Sequence, residues 1–402
     1  MTSRLEQRVR KALLARGVCL ENIDHAMADG RIELLAIEAK LFAGERRYTI
    51  DEVADRSGVP TQMSERLWRA LGFASVAPDQ AAFREADVKA LTGLRKLIEQ
   101  GMADPEASVQ FARVLGSSMA RLAEALISLQ PGVRLTAEER LAYADSVLRG
   151  GHDGVLEATE RLIDYTWRRH LQAAARRGMT VERAEDGVVV TGQAVGFADL
   201  VGYTALSQQL SEEALARVVS RFEELAYDIV AAAGGRVIKT IGDEVMFAAD
   251  DPGVAVHIGL ALAEAYADDE LLSQVRVGLA SGQVLAQDGD YFGPVVNLAS
   301  RLVNVAYPGT VVASQEVFES VRSDPTLAWR SLRRRHLKDI GTVPIWAVHR
   351  EGDVTPPGVV RRTFQPLRML LSEASFQRAE RKAVEAAVEA VLDAASAGED
   401  AP

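Results

Sequence analysis

The chain has 402 residues, of which 48% are hydrophobic and 26% charged, enough for two or three globular domains. Its formal net charge of −11 disfavours DNA, RNA and anionic lipid as partners. The one cysteine, Cys19, excludes an intrachain disulfide, and no apolar run approaches the ~20 residues that a bilayer span requires. We therefore expect a cytoplasmic protein with no membrane span.

Residues 1–178 have the periodicity of helices. Apolar side chains recur at spacings of three and four, as from Leu34 to Leu41, and strand-like alternation is nearly absent. Turn signals divide this region, which predicts an all-α domain of seven to ten helices. The last predicted helix, Val155–Gly178, contains a basic cluster that ends at His170 and closes on a glycine.

From residue 187 onward, strand and helix patterns alternate. The predicted elements in chain order are a strand at Gly187–Phe197, a helix at Leu206–Ala233, strands at Arg236–Ile241 and Glu244–Ala249, a helix at Gly253–Ala267 and a strand at Val275–Leu279. The order βαββαβ is typical of a ferredoxin-like sheet with helices on one face. A proline-containing linker and a helix at Glu373–Ala395 end the chain.

The predicted fold class is therefore α+β. We expect a helical domain at 1–178, a linker at 179–187, a ferredoxin-like domain at 188–350, and a linker with a helical tail at 351–402.

Two aspartates stand at the ends of predicted strands. Asp199 precedes a glycine and a helix start, and Asp243 lies at a hairpin tip. If the two strands are neighbours, the carboxylates converge and repel each other unless a cation lies between them. Mg²⁺ binds through one or two carboxylates together with substrate phosphates. The structural alternatives are a helix cap at Asp199 and an ordinary Gly-Asp turn at Asp243.

Other polar residues fit a phosphorylated ligand. Lys239 lies on an otherwise apolar strand, which is unusual without a partner. Asn297 and Arg301 are four apart and share one face if they lie on a helix. An amide and a guanidinium in that arrangement suit a ribose and a phosphate, although a solvated arginine fits the spacing equally well. Lys338 precedes a turn, where lysines are usually solvated.

The order and spacing of these segments resemble the class III adenylyl and guanylyl cyclases. The resemblance covers Phe197–Thr204, Lys239–Asp243 and Asp290–Arg301. It implies that Asp199, Asp243 and the backbone carbonyl of Leu200 bind two Mg²⁺ or Mn²⁺ ions. It also implies that Lys239 and Asp290 recognise adenine, the lysine donating to N1 and the aspartate accepting from the exocyclic amine.

The same resemblance implies roles for the remaining polar residues. Gly202, Tyr203 and Thr204 would bind phosphate, Asn297 would orient the ribose, Arg301 would stabilise the transition state, and Lys338 would contact the terminal phosphates. The Lys–Asp pair favours ATP over GTP, so the implied reaction produces cyclic AMP and pyrophosphate. In this family the site forms between two catalytic domains, which implies a homodimer. Tyr203 stands where phenylalanine is frequent and Asp339 where glycine is frequent, and the second difference weakens the assignment of Lys338.

The layout of the whole chain resembles the mycobacterial pH-regulated soluble adenylyl cyclases. That likeness implies an autoinhibitory helical domain whose linker helix changes conformation with pH, and a fatty-acid-binding cavity. Of the six histidines, His170 is best placed to sense pH, since it precedes the catalytic domain. A solvated histidine among arginines explains the same residue equally well.

Other functions remain open on the sequence alone. Residues 48–75 resemble a helix-turn-helix, which would make the chain a cyclase-linked DNA-binding regulator, but the stretch 49–75 has four acidic residues against three arginines. Guanylyl cyclase activity is another alternative. The Gly242-Asp243-Glu244 turn also occurs in diguanylate cyclases, which the segment Asp290–Arg301 does not fit, and a silent cyclase-like domain would usually lack one of the six site residues.

Overall fold

The computed structural model describes residues 2–42, 47–101, 104–128, 136–151, 153–178 and 190–352. The chain divides into two compact units, residues 1–179 and 180–402. The predicted linker at 179–187 and the predicted helix at Glu373–Ala395 lie outside the described residues.

The described part of the first unit contains helices and only an isolated bridge between Tyr48 and Phe83. The helices are α1 (Thr2–Leu14), α2 (Leu20–Ala28), α3 (Ile32–Leu41), α4 (Ile50–Ser57), α5 (Thr61–Ala70), α6 (Glu85–Glu99), α7 (Pro105–Ser128), α8 (Ala137–Leu148) and α9 (Asp153–Gly178). Nine helices within the described ranges agree with the predicted seven to ten. No described helix is both long and apolar enough to cross a bilayer.

Several apolar clusters hold the described part of this unit together. The first joins α1, α2, α3 and α8 around Leu13, Ile23 and Ala144, all fully buried. The second involves α5 and α7, where Leu67 packs with Val109 and Gly116 lies against the backbone of Leu71. A methyl group at Gly116 would lie 2.4 Å from the Leu71 carbonyl oxygen, so this close helix contact requires glycine.

The segment that resembles a helix-turn-helix does fold as two helices joined by a tight turn. Thr49 and Glu52 form a reciprocal cap at the start of α4, and Gly58 adopts a left-handed conformation at its end. Three arginines of this segment are ion-paired, in the pairs Arg56–Glu85, Arg66–Glu106 and Arg69–Glu65. Paired guanidinium groups are poor phosphate ligands, which disfavours the DNA-binding alternative.

The second unit is built on one eight-stranded sheet. Its strands are β1 (Val190–Leu200), β2 (Arg236–Ile241), β3 (Glu244–Ala249), β4 (Val275–Gln287), β5 (Asp290–Phe292), β6 (Val311–Ala313), β7 (Leu327–Leu337) and β8 (Gly341–Arg350). Its helices are α10 (Tyr203–Ser207), α11 (Glu212–Ala232), α12 (Pro252–Asp268), α13 (Pro294–Val305) and α14 (Gln315–Val321). The strand order is β2-β3-β1-β4-β6-β8-β7, with β5 paired to β4 alone. The order βαββαβ from β1 to β4 confirms the predicted fold class.

Helices cover both faces of the sheet, so the prediction of helices on one face was wrong. Phe222 of α11 and Ile258 of α12 pack with Phe247 on one face, whereas Ala299 and Val303 of α13 pack on the opposite face. Because β1 is buried on both faces, its sequence alone does not show which face receives a helix.

The predicted helix Leu206–Ala233 is in fact two helices. The short helix α10 ends at Ser207, and Ser211 then caps α11 by accepting a hydrogen bond from the Ala214 amide at 3.3 Å. A serine at the N-cap starts a new helix, which ends the continuity that the apolar spacing suggested.

Candidate active site

The two predicted metal-binding aspartates are brought to one corner of the sheet. Asp199 is opposite Glu244 of β3 and opposite Arg276 of β4 in the strand register. The Leu200 amide donates to the Asp243 carbonyl at 3.1 Å, which ties the β2–β3 turn to the end of β1. Three carboxylates and one guanidinium therefore gather at this corner.

Asp199 disfavours the ionisation of the Asp243 and Glu244 carboxyl groups. Burial, together with repulsion from Asp199, raises the pKa of Asp243 to about 6. Burial and the charges of Asp199 and Asp243 raise the pKa of Glu244 to about 7. Arg276 is ion-paired with Asp199 and lowers both of these pKa values in part. The corner therefore holds more negative charge than its one arginine offsets.

This donor set fits hard divalent cations. Mg²⁺ and Mn²⁺ prefer oxygen ligands, and Mg²⁺ commonly uses one or two carboxylates while substrate phosphates complete its coordination. Within the described ranges, no three carboxylate, histidine or cysteine side chains already form a cluster that could hold a metal ion. Asp199, Asp243 and a backbone carbonyl could supply part of such a coordination shell, and phosphate oxygens would supply the remaining ligands.

Lys239 and Asp290 are in direct contact. The Lys239 ammonium donates to Oδ2 of Asp290, while the Tyr291 amide donates to Oδ1 at 2.8 Å. The lysine also lies 6.0 Å from the centroid of the Phe292 ring. Both charged side chains are partly exposed, so a ligand can reach a donor and an acceptor that are already held side by side.

A β-bulge orients Lys239. The register of β2 against β3 passes from Val237–Phe247 to Lys239–Met246, which leaves Ile238 as an extra residue. Lys239 therefore lies on the Met246 face of the sheet, which is the face covered by α13. Without the bulge, residues two apart on β2 would share a face. Lys239 would then lie on the face of Val237, where α11 and α12 pack.

Helix α13 carries the two predicted catalytic residues. Asn297 is exposed in its first turn and Arg301 is partly buried one turn later. Among the residues that the structure describes, neither side chain has a hydrogen-bond or ion-pair partner. The helix lies close on β4, since a methyl group at Gly278 would be 2.4 Å from the Val303 amide nitrogen. A guanidinium and an amide without partners among the described residues are thus held on the face of the sheet that carries Lys239.

The predicted phosphate-binding residues lie at the start of α10. Gly202 adopts a left-handed conformation as the N-cap, and Tyr203 begins the helix. Burial and the charge of Asp243 raise the pKa of the Tyr203 hydroxyl, so this tyrosine is close to the carboxylate corner. Thr204 is exposed beside it.

Lys338 is exposed in the turn between β7 and β8. The next residue, Asp339, has a left-handed φ of 65°, which explains why glycine is frequent at this position. Aspartate is one of the few other residues that tolerate this conformation, so the difference noted in the sequence leaves the turn intact. His170 belongs to the other unit, where it is exposed on α9.

Arg276 and Glu244 also lie at this corner, although neither was predicted as a site residue. Like Lys239, Arg276 is a charged residue in an otherwise apolar stretch, Val275–Leu279, and this pattern marks it in the sequence. Glu244 directly follows Asp243, but only the strand register shows that it is opposite Asp199. Arg236 and Tyr291 were also missed, and no local signal marks them.

Comparison with known proteins assigns a family to this architecture. The sequence-family model of the adenylate and guanylate cyclase catalytic domain matches residues 190–349. The family model of the adenylate cyclase regulatory domain matches residues 3–137. An adenylate cyclase of Streptomyces coelicolor is 40% identical over 289 residues, covering 71% of this chain and 75% of its own. The chain belongs to the adenylate and guanylate cyclase family and is a nucleotide cyclase.

A second relative shares the layout of both units. A pH-sensitive adenylate cyclase of Mycobacterium tuberculosis is 31% identical over 323 residues, which is 76% of this chain and 79% of the relative. Among solved structures, the adenylyl cyclase CyaB from P. aeruginosa is 25% identical and covers 40% of this chain and 95% of its own, with a TM-score of 0.37. The expected resemblance to cyclases with an N-terminal regulatory domain is confirmed.

Proposed function

We propose that this chain is an adenylyl cyclase that converts ATP to 3′,5′-cyclic AMP and pyrophosphate. The ribose 3′-oxygen forms a bond to the α-phosphorus, the bond from that phosphorus to the β-bridging oxygen breaks, and the hydroxyl proton leaves to solvent. Pyrophosphate departs with the electron pair of the broken bond. The relatives named adenylate cyclases support this choice of substrate.

The observation that carries the proposal is the Lys239–Asp290 pair. An ammonium that donates and a carboxylate that accepts match N1 and the exocyclic amine of adenine. Guanine presents the opposite pattern, an N1–H donor and an O6 acceptor, and would leave both protein groups unpaired. An unpaired polar contact of this kind costs about 1–3 kcal/mol, which favours ATP over GTP.

Asp199, Asp243 and the Leu200 carbonyl would hold two divalent ions, Mg²⁺ or Mn²⁺. When bound, such ions lower the pKa of the 3′-hydroxyl and offset charge on the phosphates. The side chains of Asn297 and Arg301, which lack partners within the described residues, would orient the ribose and stabilise the charge that develops on the α-phosphate. The amides from Gly202 to Thr204 and the ammonium of Lys338 would contact phosphate oxygens.

We further propose that the active form is a homodimer through the catalytic units. Large apolar side chains are exposed next to the site residues, with Ile241 at 55% and Phe292 at 45% of their full accessibility. A partner subunit that covers these side chains would remove their apolar surface from water. In such a dimer the aspartates of one subunit would face Lys239, Asp290, Asn297 and Arg301 of the other.

Turnover assays test the substrate and the metal requirement. We expect the full chain to form cyclic AMP from ATP with Mn²⁺ or Mg²⁺, to use GTP more slowly, and to lose turnover in EDTA. Asp199→Ala is expected to abolish turnover while circular dichroism remains unchanged. A preference for GTP would overturn the substrate assignment, and an active Asp199→Ala would overturn the metal assignment.

A complementation experiment tests the shared site. Asp199→Ala and Arg301→Ala should each be inactive alone, whereas their mixture should regain activity because each heterodimer keeps one intact site. Heterodimers that form, as shown with two affinity tags, but remain inactive would contradict a site shared between subunits.

We propose that the helical unit inhibits the cyclase near neutral pH and releases it in mild acid, with α9 as the element that changes. A tenfold change in activity requires only about 1.4 kcal/mol of bias between two states, which one titrating group can supply. The test compares the full chain with a chain that starts at Val181 between pH 5 and 8. Equal specific activities and equal pH profiles would refute the proposal.

A fatty acid is the second effector that we propose for the helical unit. A turnover rate that oleate leaves unchanged would refute this second proposal.

A further inference from the structure

Arg236 is the centre of a polar network that no predicted role explains. Its Nη2 donates to the Tyr291 hydroxyl at 2.9 Å and to Oε1 of Gln193 at 2.7 Å, and its Nη1 donates to Asp250 at 3.1 Å. Gln193, which is 7% exposed, also donates to Asp250 at 3.0 Å. One guanidinium thus connects β1, β2, β5 and the end of β3.

The bulge at Ile238 aligns this network with Lys239 and Asp290, the purine-binding pair proposed above. Arg236 pairs with Ala248 and Lys239 pairs with Met246, and these two β3 residues are two apart. Arg236 and Lys239 therefore lie on the same face of the sheet, although they are three apart in sequence. From that face the two cations reach adjacent residues of β5, namely Tyr291 and Asp290.

Strand β5 has little backbone pairing of its own. It is three residues long and pairs only with the end of β4, through the register Gln287–Asp290 to Leu285–Phe292. The two strands are joined by a turn at Asp288 and Gly289, both with left-handed φ. A short edge strand of this kind depends on side-chain contacts for its position.

We propose that Arg236 is a positioning residue for purine recognition. By binding the Tyr291 hydroxyl it fixes β5, and because the Tyr291 amide also holds the Asp290 carboxylate, it sets the position of that carboxylate relative to Lys239. Arg236 and Tyr291 thereby contribute to the choice between adenine and guanine without contacting the base. This inference rests on the proposed adenylyl cyclase activity.

The test uses Tyr291→Phe, which removes one hydroxyl and keeps the ring that packs beside Val295. The preference for ATP over GTP, as a ratio of kcat/KM values, should fall by about five- to tenfold. The loss should come from a higher KM for ATP, with kcat within about twofold of wild type, because the reacting groups are untouched. Arg236→Met should reduce the ATP preference by a similar factor. The double variant should reduce it little further, since both changes break the same contact between Arg236 and Tyr291.

A matched control separates positioning from general stability. Arg221 of α11 also joins two carboxylates, with Asp269 at 2.9 Å and Glu224 at 2.6 Å, away from the purine-binding pair. Arg221→Met should lower the melting temperature but leave the ATP/GTP ratio unchanged. If both arginine variants change the ratio in proportion to lost stability, the positioning role is refuted.

Binding of 3′-deoxy-ATP and 3′-deoxy-GTP by calorimetry, with Mn²⁺, gives a readout that needs no turnover. Weaker binding of the adenine analogue alone in Tyr291→Phe is expected. If wild type prefers ATP and Tyr291→Phe keeps that ratio within about twofold, only the positioning inference fails. If wild type itself prefers guanine nucleotides, the proposed function fails, and with it the inference.

Discussion

The carboxylate corner makes a prediction about folding stability that does not depend on catalysis. In metal-free protein, Asp243→Asn should raise the free energy of unfolding at neutral pH. Folding moves the carboxyl of Asp243 from its ordinary pKa of 3.8 to about 6, so the folded chain holds it ionised at a cost. The amide has a similar shape and carries no charge, so this cost disappears.

The size of the effect follows from the pKa difference. A change from 3.8 to about 6 corresponds to about 3 kcal/mol for a fully buried group, and solvent screening of a partly exposed one reduces it to about 1–2 kcal/mol. Between these pKa values the folded state binds more protons than the unfolded state, so wild-type stability falls as pH rises through that window. The gain from the variant should therefore be small near pH 4 and complete above about pH 7.

Urea unfolding in EDTA at pH 4, 5.5 and 7.5 measures the gain. Glu244→Gln should also raise the free energy of unfolding. Its gain should reach half its full size nearer pH 7, because burial and the neighbouring aspartates raise the pKa of Glu244 to about 7. Asp228→Asn, at an exposed position on α11, is the control and should change stability by less than about 0.5 kcal/mol. With millimolar Mn²⁺ and an ATP analogue, wild type should become more stable than Asp243→Asn, since the ligand stabilises only a chain that binds it. An Asp243→Asn chain that is less stable than wild type at pH 7.5 in EDTA would refute the reasoning.

Three further changes probe the same architecture. Gly278→Ala should destabilise the chain by about 1–3 kcal/mol in urea unfolding, because the added methyl group would meet the backbone at Val303 and displace α13. Arg276→Met removes a cation that lowers the pKa of Asp243, so the pH at which Mn²⁺ binds half-maximally, followed by electron paramagnetic resonance, should move upward. His170→Ala should flatten the acid response of the full chain if this residue senses pH, and an unchanged profile would place the sensor elsewhere.

The local part of the site was predictable because each signal is contained in a short segment. Asp243 at a hairpin tip and Asn297 with Arg301 on one helix follow from turn chemistry and helical spacing, and the structure places them on such elements. The fold class followed from the change of periodicity near residue 187. Their roles in binding and catalysis stay predictions, since they came from resemblance.

Most of what the sequence did not reveal depends on how strands and helices pair and pack in the folded chain. The bulge at Ile238 is invisible in the stretch Arg236–Ile241, which reads as an ordinary strand, yet it decides the face on which Lys239 lies. The position of α13 was missed for a related reason. Its apolar side fits either face of a sheet that is buried on both. The break at Ser211 was local, but the apolar spacing continued through it and masked the cap.

The β2–β3 hairpin joins the two halves of the chemistry within one chain. Asp243 at its tip belongs to the carboxylate corner, and Lys239 in its body belongs to the Lys239–Asp290 pair that we propose binds the purine. If each site is shared between two subunits, as we propose, these two residues of one hairpin serve different sites. A shift of the hairpin would then alter metal binding in one site and base recognition in the other at the same time. Since the Leu200 amide and Arg236 hold the hairpin at its tip and its base, these two contacts would couple the two sites of such a dimer.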